Sequence, residues 1–171
     1  MEKKRHYAIW ITGLPGSGKT NIGKYFHKKF EKKYGPTLFF NGDDIRRIFK
    51  IKSYDIKSRR KLSFKYSKFV SFISKQKVNI IFTCVAMFDD VRKYNKKHIK
   101  NYKEIYISSN LKKIISEKKK KLYLKTKKNM VGIDIKAELP KKPDISIKNN
   151  FKKSVKELAS ELFSKFNKQI D

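Results

Sequence analysis

A three-layer α/β fold is what this sequence predicts: a five-stranded parallel sheet with helices on both faces. Apolar runs alternate with helical patterns along the chain. The runs are nearly unbroken by polar residues, as strands covered on both faces must be. The first run ends in a glycine-rich turn that opens a helix. With 171 residues and neither repeat nor Pro/Gly/Ser linker, residues 1–171 read as one domain with one sizeable core.

The first strand is Ala8–Thr12, and the helix after the glycine turn is Asn21–Lys33, stopped by Gly35-Pro36. A strand over Thr37–Phe40 follows. The helix Arg59–Gln76 carries Leu62, Tyr66, Phe69, Val70 and Ile73 at helical spacing. Val78–Thr83 is the third strand, and Asp89–Lys100 a shorter, more charged helix. Glu104–Ser108, a helix over Leu111–Lys121 and the strand Asp144–Ile147 come next. The chain closes on a helix over Lys152–Asn167, with Val155, Leu158, Leu162 and Phe166 on one face. Residues 112–128 hold nine lysines. They read either as a solvated helix end or as part of a lid over a nucleotide, at about 118–134.

Composition excludes several classes. No apolar run approaches the roughly 18 residues of a membrane span. The charged start is followed by too short an apolar run for a signal peptide. Cys84 is the one cysteine, so no internal disulfide forms and a cytoplasmic protein is expected. Cys84 itself reads as a small buried filler, and Trp10 as core. His6, His27 and His98 lack metal-ligand spacing and read as surface residues.

The net charge is +30, from 45 basic and 15 acidic residues. Only six of the basic residues are Arg, and the lysines are spread everywhere. A nucleic-acid binder concentrates Arg and exposed aromatics, whereas here nearly every Phe and Tyr fits a core face. The excess therefore reads as compositional bias, with a field that still attracts anionic nucleotides.

Residues 13–20, GLPGSGKT, satisfy G-x-x-x-x-G-K-[ST]. Gly13, Gly16 and Gly18 let the backbone curl. The N–H groups of the loop, including those of Leu14 and Ser17 beside Pro15, then converge on phosphate oxygens. Lys19 reaches the β/γ-phosphates and Thr20 offers a hydroxyl to Mg²⁺. With a strand before it and a helix after it, this is a P-loop, so the fold is that of a P-loop NTPase binding ATP or GTP with Mg²⁺. The guanine signature N-K-x-D is absent, and the small size suits a small-molecule kinase. The second strand runs into FFNGDDIRRIF, Phe39 to Phe49. Asp43 stands where ligands bind in such sheets and could orient and deprotonate an acceptor hydroxyl. Asp44 either shares that role or caps the next helix. Arg46, three residues on, offers the forked contact to phosphate or sulfate that Lys lacks.

Together these stretches resemble the adenylylsulfate kinases, P-loop enzymes that phosphorylate the ribose 3′-hydroxyl of adenylyl sulfate. The family's W-[LI]-T-G-L-[SP]-G-[SA]-G-K-[ST] is matched by WITGLPGSGKT at 10–20, and its D-G-D-N-[VI]-R by NGDDIR at 41–46. Its D-R-x-E-N falls on SRRKL at 58–62, its I-S-P-[YF]-x-x-x-R on VAMFDDVR at 85–92, and its lid on LYLK at 122–125. Its F-T-G-I-D and following Y-E-x-P-x-x-P-D are echoed by MVGIDIKAELPKKPDISI at 130–147.

The resemblance implies that Gly13, Leu14, Pro15, Gly16, Ser17, Gly18, Lys19 and Thr20 bind ATP and Mg²⁺, and that Asp43 activates the 3′-hydroxyl. It places Arg46, Arg59 and Arg92 at nucleotide- or anion-contacting positions, Tyr54 on the acceptor base and Lys125 in the lid. Met130, Val131 and Gly132 fall where the returning loop meets the acceptor. Asp134 either contacts nucleotide or stabilises the Gly132 turn. Related kinases are often dimers.

Departures from the pattern matter as much. Asn41 replaces an Asp, Leu62 an Asn, Ala86-Met87 a Ser-Pro and Met130 a Phe, and the lid is shorter and lacks an Arg. A base between Tyr54 and Met130, with apolar Leu62 where the pattern offers it a polar partner, need not be adenine. The expected acceptor is adenylyl sulfate. The alternative is cytidine diphosphoramidate, the acceptor of relatives that build capsular phosphoramidate. A third reading makes the chain a basic nucleic-acid-binding protein with an incidental P-loop.

Overall fold

The structure is a computed structural model that describes residues 5–116 and 129–170. Its five strands are β1 (Ala8–Thr12), β2 (Thr37–Asn41), β3 (Asn79–Cys84), β4 (Tyr102–Ser108) and β5 (Ile145–Lys148). The helices among the described residues are α1 (Lys19–Tyr34), α2 (Gly42–Ile48), α3 (Ile56–Lys75), α4 (Asp89–His98), α5 (Leu111–Ile114) and α6 (Val155–Ile170). All strands run parallel in the order β2-β3-β1-β4-β5. This is the P-loop NTPase arrangement expected from the sequence.

Alternation along β1 builds both layers. Ile9 and Ile11 face α1 and α6, joining Ile22, Phe26, Phe30, Leu158, Leu162 and Phe166. Ala8 and Trp10 face α3 and α4, joining Leu62, Tyr66, Val70 and Val91. Trp10 pairs in register with Phe82 on β3 and stacks on it at 5.1 Å between ring centroids. Every residue of β1 and β3 is buried, the signature of central strands in a doubly covered sheet. Among the described residues no helix is long and apolar enough to cross a membrane.

Helix ends correct the sequence-based boundaries. α3 begins at Ile56 rather than Arg59, because Asp55 Oδ1 accepts the Ser58 N–H at 2.9 Å. α6 begins at Val155, where Ser154 and Glu157 exchange hydrogen bonds as a capping box. Asp44 is not a cap. Asn41, in extended conformation, caps α2 by accepting the Asp43 N–H at 3.2 Å, and Asp44 pairs with Arg47 in the first turn. Of the helix expected over Leu111–Lys121, residues 117–121 lie outside the described region. Among the described residues, Phe49 and Phe72 depart furthest from the expected core faces, at 70% and 61% exposed, and Tyr25 and Tyr54 are exposed too. His27 is half-buried, with Nε2 2.7 Å from the Thr37 carbonyl, so it braces α1 against β2.

Arg92 is placed differently from what the resemblance implied. The first turn of α4 aims it into the protein, where it is buried and bonded to Asp89, with Nε 3.6 Å from Glu104 Oε1 on β4. A guanidinium buried there needs carboxylate partners more than a ligand. Burial pushes the Glu104 carboxyl up to about 7, although Arg92 and Lys96 pull it down.

A carboxyl raised in this way binds a proton in the folded state that the unfolded chain releases near its ordinary value of 4.5. Its contribution to stability is therefore full below that value and falls as pH rises through about 7. Glu104→Gln abolishes this dependence. The difference in Tm, variant minus wild type, is expected to become more positive between pH 5 and pH 8. Thermal melts across that range check it, and a flat difference contradicts the burial argument.

Candidate active site

The loop after β1 takes its shape from close contacts. A Cβ on Gly13 would lie 2.7 Å from both the Ile107 carbonyl oxygen and Ser17 Oγ. Gly18, with φ of 86°, forms the left-handed N-cap of α1 and contributes no capping side chain. The first turn of α1 therefore presents its N–H groups to whatever occupies the loop. Ser17 N–H donates to the Leu14 carbonyl at 3.1 Å and closes the curl.

Asn149, which no sequence motif singles out, holds this loop from behind. It is buried, and its Nδ2 donates to the Ser17 carbonyl at 2.9 Å. Its only sequence signal is an Asn-Asn pair at the end of β5.

Lys19 lies at the start of α1, buried, with one hydrogen bond from Nζ among the described residues, to the Leu14 carbonyl at 3.4 Å. Burial lowers its pKa, while the nearby Asp43 carboxylate and then Cys84 oppose the shift. A buried ammonium with one long hydrogen bond, beside a cradle that a single Cβ would fill, fits the phosphates of a nucleotide. Thr20, half-buried in the same turn, has its hydroxyl at the position from which such loops hold Mg²⁺.

A second pocket opens beside the loop and gathers Asp43, Arg46, Tyr54, Arg59 and Leu62. The arginines stand out by their partners. Of the five between positions 46 and 92, Arg47, Arg60 and Arg92 pair with carboxylates. Arg46 and Arg59 are held by carbonyls instead, with no carboxylate in ion-pair reach among the described residues. Arg46 Nη1 donates to the Ser53 carbonyl at 2.8 Å. Arg59 donates to the carbonyls of Tyr54 at 2.7 Å and Asn129 at 3.0 Å. Their guanidinium carbons lie 4.4 and 5.1 Å from the Tyr54 ring centroid. Burial, then the Arg46 charge, lowers the Arg59 pKa. Asp43 and Asp55 act on Arg59 only from beyond ion-pair distance, so two guanidiniums without a bonded carboxylate offer forked contacts to an anion.

The floor of the pocket is structural. Tyr66 hydroxyl donates to the Gly42 carbonyl at 3.0 Å and fixes the start of α2, hence Asp43. Cys84 ends β3, and burial pushes its thiol up to about 12, so it stays a neutral filler as expected.

The returning segment packs against the loop side. Met130 is buried in one apolar cluster with Leu14, Met87, Tyr106 and Ile114, while Tyr54 lines the second pocket. The reason is local: Met130 N–H donates to Asp134 Oδ2 at 3.0 Å, and its carbonyl accepts the N–H groups of residues 133–135. This tight turn directs the side chain into the apolar cluster. Of the two tasks expected of Asp134, the hydrogen bond from Met130 shows the one that stabilises the Gly132 turn. Val131 joins the same cluster, and a Cβ on Gly132 would lie 3.1 Å from Leu14 Cδ2. Met130, Val131 and Gly132 thus meet the P-loop side of the crevice. Lys125 lies outside the described residues.

Comparison with known proteins adds four findings. Residues 5–148 match the family described as Adenylylsulphate kinase. The chain is 36% identical over 159 residues to the cytidine diphosphoramidate kinase of Campylobacter jejuni, covering 91% of this chain and 93% of that one. It is 26% identical over 155 residues to the adenylyl-sulfate kinase of Clostridium acetobutylicum, covering 86% and 76%. The fold is shared with the Mycobacterium tuberculosis APS kinase CysC, solved in complex with AMPPNP and APS, at a TM-score of 0.82 and 21% identity over 96% of this chain and 99% of that one.

If Lys19 supplies charge stabilisation in the transition state, Lys19→Ala loses about 100-fold or more of ATP-dependent turnover, some 3 kcal/mol. The far-ultraviolet circular dichroism spectrum is expected to stay unchanged. A folded variant with normal turnover would sink the assignment.

Proposed function

Because the chain belongs to the adenylylsulfate kinase family and is an ATP-dependent kinase, we propose that it transfers the γ-phosphoryl group to the ribose 3′-hydroxyl of cytidine diphosphoramidate. Support for that acceptor comes first from sequence. Identity to a kinase named for it is 36% over nearly the whole of both chains, against 26% for an adenylyl-sulfate kinase. The pocket adds a second support, since Leu62 presents a buried apolar wall where the family pattern carries Asn. The nucleic-acid reading, with its incidental P-loop, is set aside.

Each residue has a task in this reaction. The glycine loop and Lys19 hold the donor phosphates and stabilise the negative charge that spreads over the transferring group. Thr20 would hold Mg²⁺, which supplies further neutralisation at the β- and γ-oxygens when bound. Arg46 and Arg59 grip the 5′ anhydride of the acceptor, both of whose acidic groups are anionic. Asp43 orients the 3′-hydroxyl and takes its proton. Its carboxylate is close enough to Lys19 for the two charges to interact, which ties the acceptor oxygen to the donor phosphates.

Adenylyl sulfate is the second reading, kept because the family match over residues 5–148 is to adenylylsulphate kinase. The reaction is the same, and only base and anhydride differ. An apolar wall rejects a wrong partner by only about 1–3 kcal/mol, whereas a polar contact to a base edge rejects it strongly.

Two measurements test the proposal. The first is kcat/KM for both acceptors under one condition. Cytidine diphosphoramidate is expected to be used at least as efficiently as adenylyl sulfate, with Leu62→Asn moving the ratio toward adenine. A strong wild-type preference for adenylyl sulfate refutes the cytidine assignment. The second is Asp43→Asn, expected to lower kcat by about 100-fold or more while the acceptor KM changes little. A change confined to KM would make Asp43 a binding residue.

A further inference from the structure

Glu138 lies outside both the glycine loop and the acceptor pocket, yet the segments that build them meet at it. Its Oε2 accepts the Asp89 N–H at 2.5 Å, at the first residue of α4. Phe88, the N-cap of α4, offers no side-chain acceptor, so Glu138 caps that helix from 49 positions away in sequence. Its Oε1 accepts Arg60 Nη2 at 3.4 Å, and its own N–H donates to the Met87 carbonyl at 3.2 Å. Arg60 in turn donates to Asp90 Oδ2 at 2.8 Å and lies 5.0 Å from the Phe88 ring centroid.

The other end of the same segment is also tied to α3. Arg59 donates to the Asn129 carbonyl, and Arg60 to Glu138. Consecutive arginines therefore staple both ends of residues 129–138 to the helix that carries Leu62 and Ser63 into the pocket. Between the staples, the Met130–Ile135 turn rests Gly132 against Leu14. Across the pocket, Val85 and Ala86 form the wall that runs directly into Met87 and α4.

We propose that Glu138 is a positioning residue for the acceptor pocket. Through Arg60 it holds α3, and through Asp89 and Met87 it holds the strand exit of β3 and the start of α4. It thereby sets the separation of the two walls, Arg59–Ser63 and Val85–Ala86, and keeps Arg59 aimed inward. The inference rests on that pocket being the acceptor site.

The test uses Glu138→Gln and Arg60→Lys in the full chain. Gln keeps a carbonyl oxygen for the Asp89 N–H but has no charge for Arg60. Lys keeps the charge but cannot reach two carboxylates as a fork. Either variant is expected to raise the acceptor KM about 3- to 10-fold, with kcat within about twofold and the ATP KM unchanged. The double variant is expected to be no worse than the worse single one, because both remove one link. Hydrogen exchange at amides 132–135 is expected to speed up in Glu138→Gln. A lowered Tm with an unchanged acceptor KM would make Glu138 a structural cap only and overturn the proposal, as would unchanged exchange over 132–135. If the wild type turns over neither nucleotide acceptor, the acceptor reading fails separately, and the exchange comparison alone decides whether Glu138 braces the segment.

Discussion

The Lys19 ammonium, buried at the head of α1 with a 3.4 Å hydrogen bond to the Leu14 carbonyl, is the constraint on which the rest of the site depends. Removing such a charge from water costs several kcal/mol unless anions or dipoles replace the lost hydration. The loop curls so that its carbonyl and N–H groups flank that position. The curl exists only because Gly13 can lie against the Ile107 carbonyl and Gly18 can adopt a left-handed backbone. Asn149 then pins the loop to the end of β5. The central place of β1 in the sheet delivers all of these groups to one crevice.

Charge in the second pocket follows the same logic. This chain is saturated with lysine, and a diffuse positive field distinguishes no particular spot. What distinguishes Arg46 and Arg59 is the lack of a carboxylate partner among the described residues, set against the pairing of Arg47, Arg60 and Arg92. Two guanidiniums fixed by carbonyls keep their geometry without losing their charge. Such an arrangement is pre-organised for an anion. Both guanidiniums also lie against the Tyr54 ring, at 4.4 and 5.1 Å from its centroid.

Paired arginines do a different job. Arg92 and Glu104 lock α4 to the sheet interior, and Arg60, Asp90 and Glu138 lock α3 to α4 and to the returning segment. The helices on that face of the sheet are joined at their pocket ends by ionic contacts as well as by the apolar cluster around Trp10 and Phe82. Hydrophobic burial holds the layers together. The charged contacts are directional, and so fix how the layers sit relative to the pocket.

Much was legible from the chain alone. Strand–helix alternation and the GLPGSGKT turn determined the fold and the shape of the glycine loop, because both are local: period, apolar run length and glycine placement act within a few residues. The cytidine or adenine question was also visible there, in Leu62. Only the tertiary structure decided what each arginine does, since Arg92 and Arg59 are the same residue type and differ in whether a carboxylate from another element reaches them. The tertiary structure also placed Met130 in the apolar cluster with Leu14, Met87 and Tyr106, where Asp134 accepts its N–H and closes the turn. Glu138 stood in a stretch that echoes a family motif and Asn149 in an Asn-Asn pair, but neither stretch shows which groups the side chain holds. Their partners lie 132 and 49 positions away, and hydrogen bonds over such separations exist only once the sheet has brought the strand ends together.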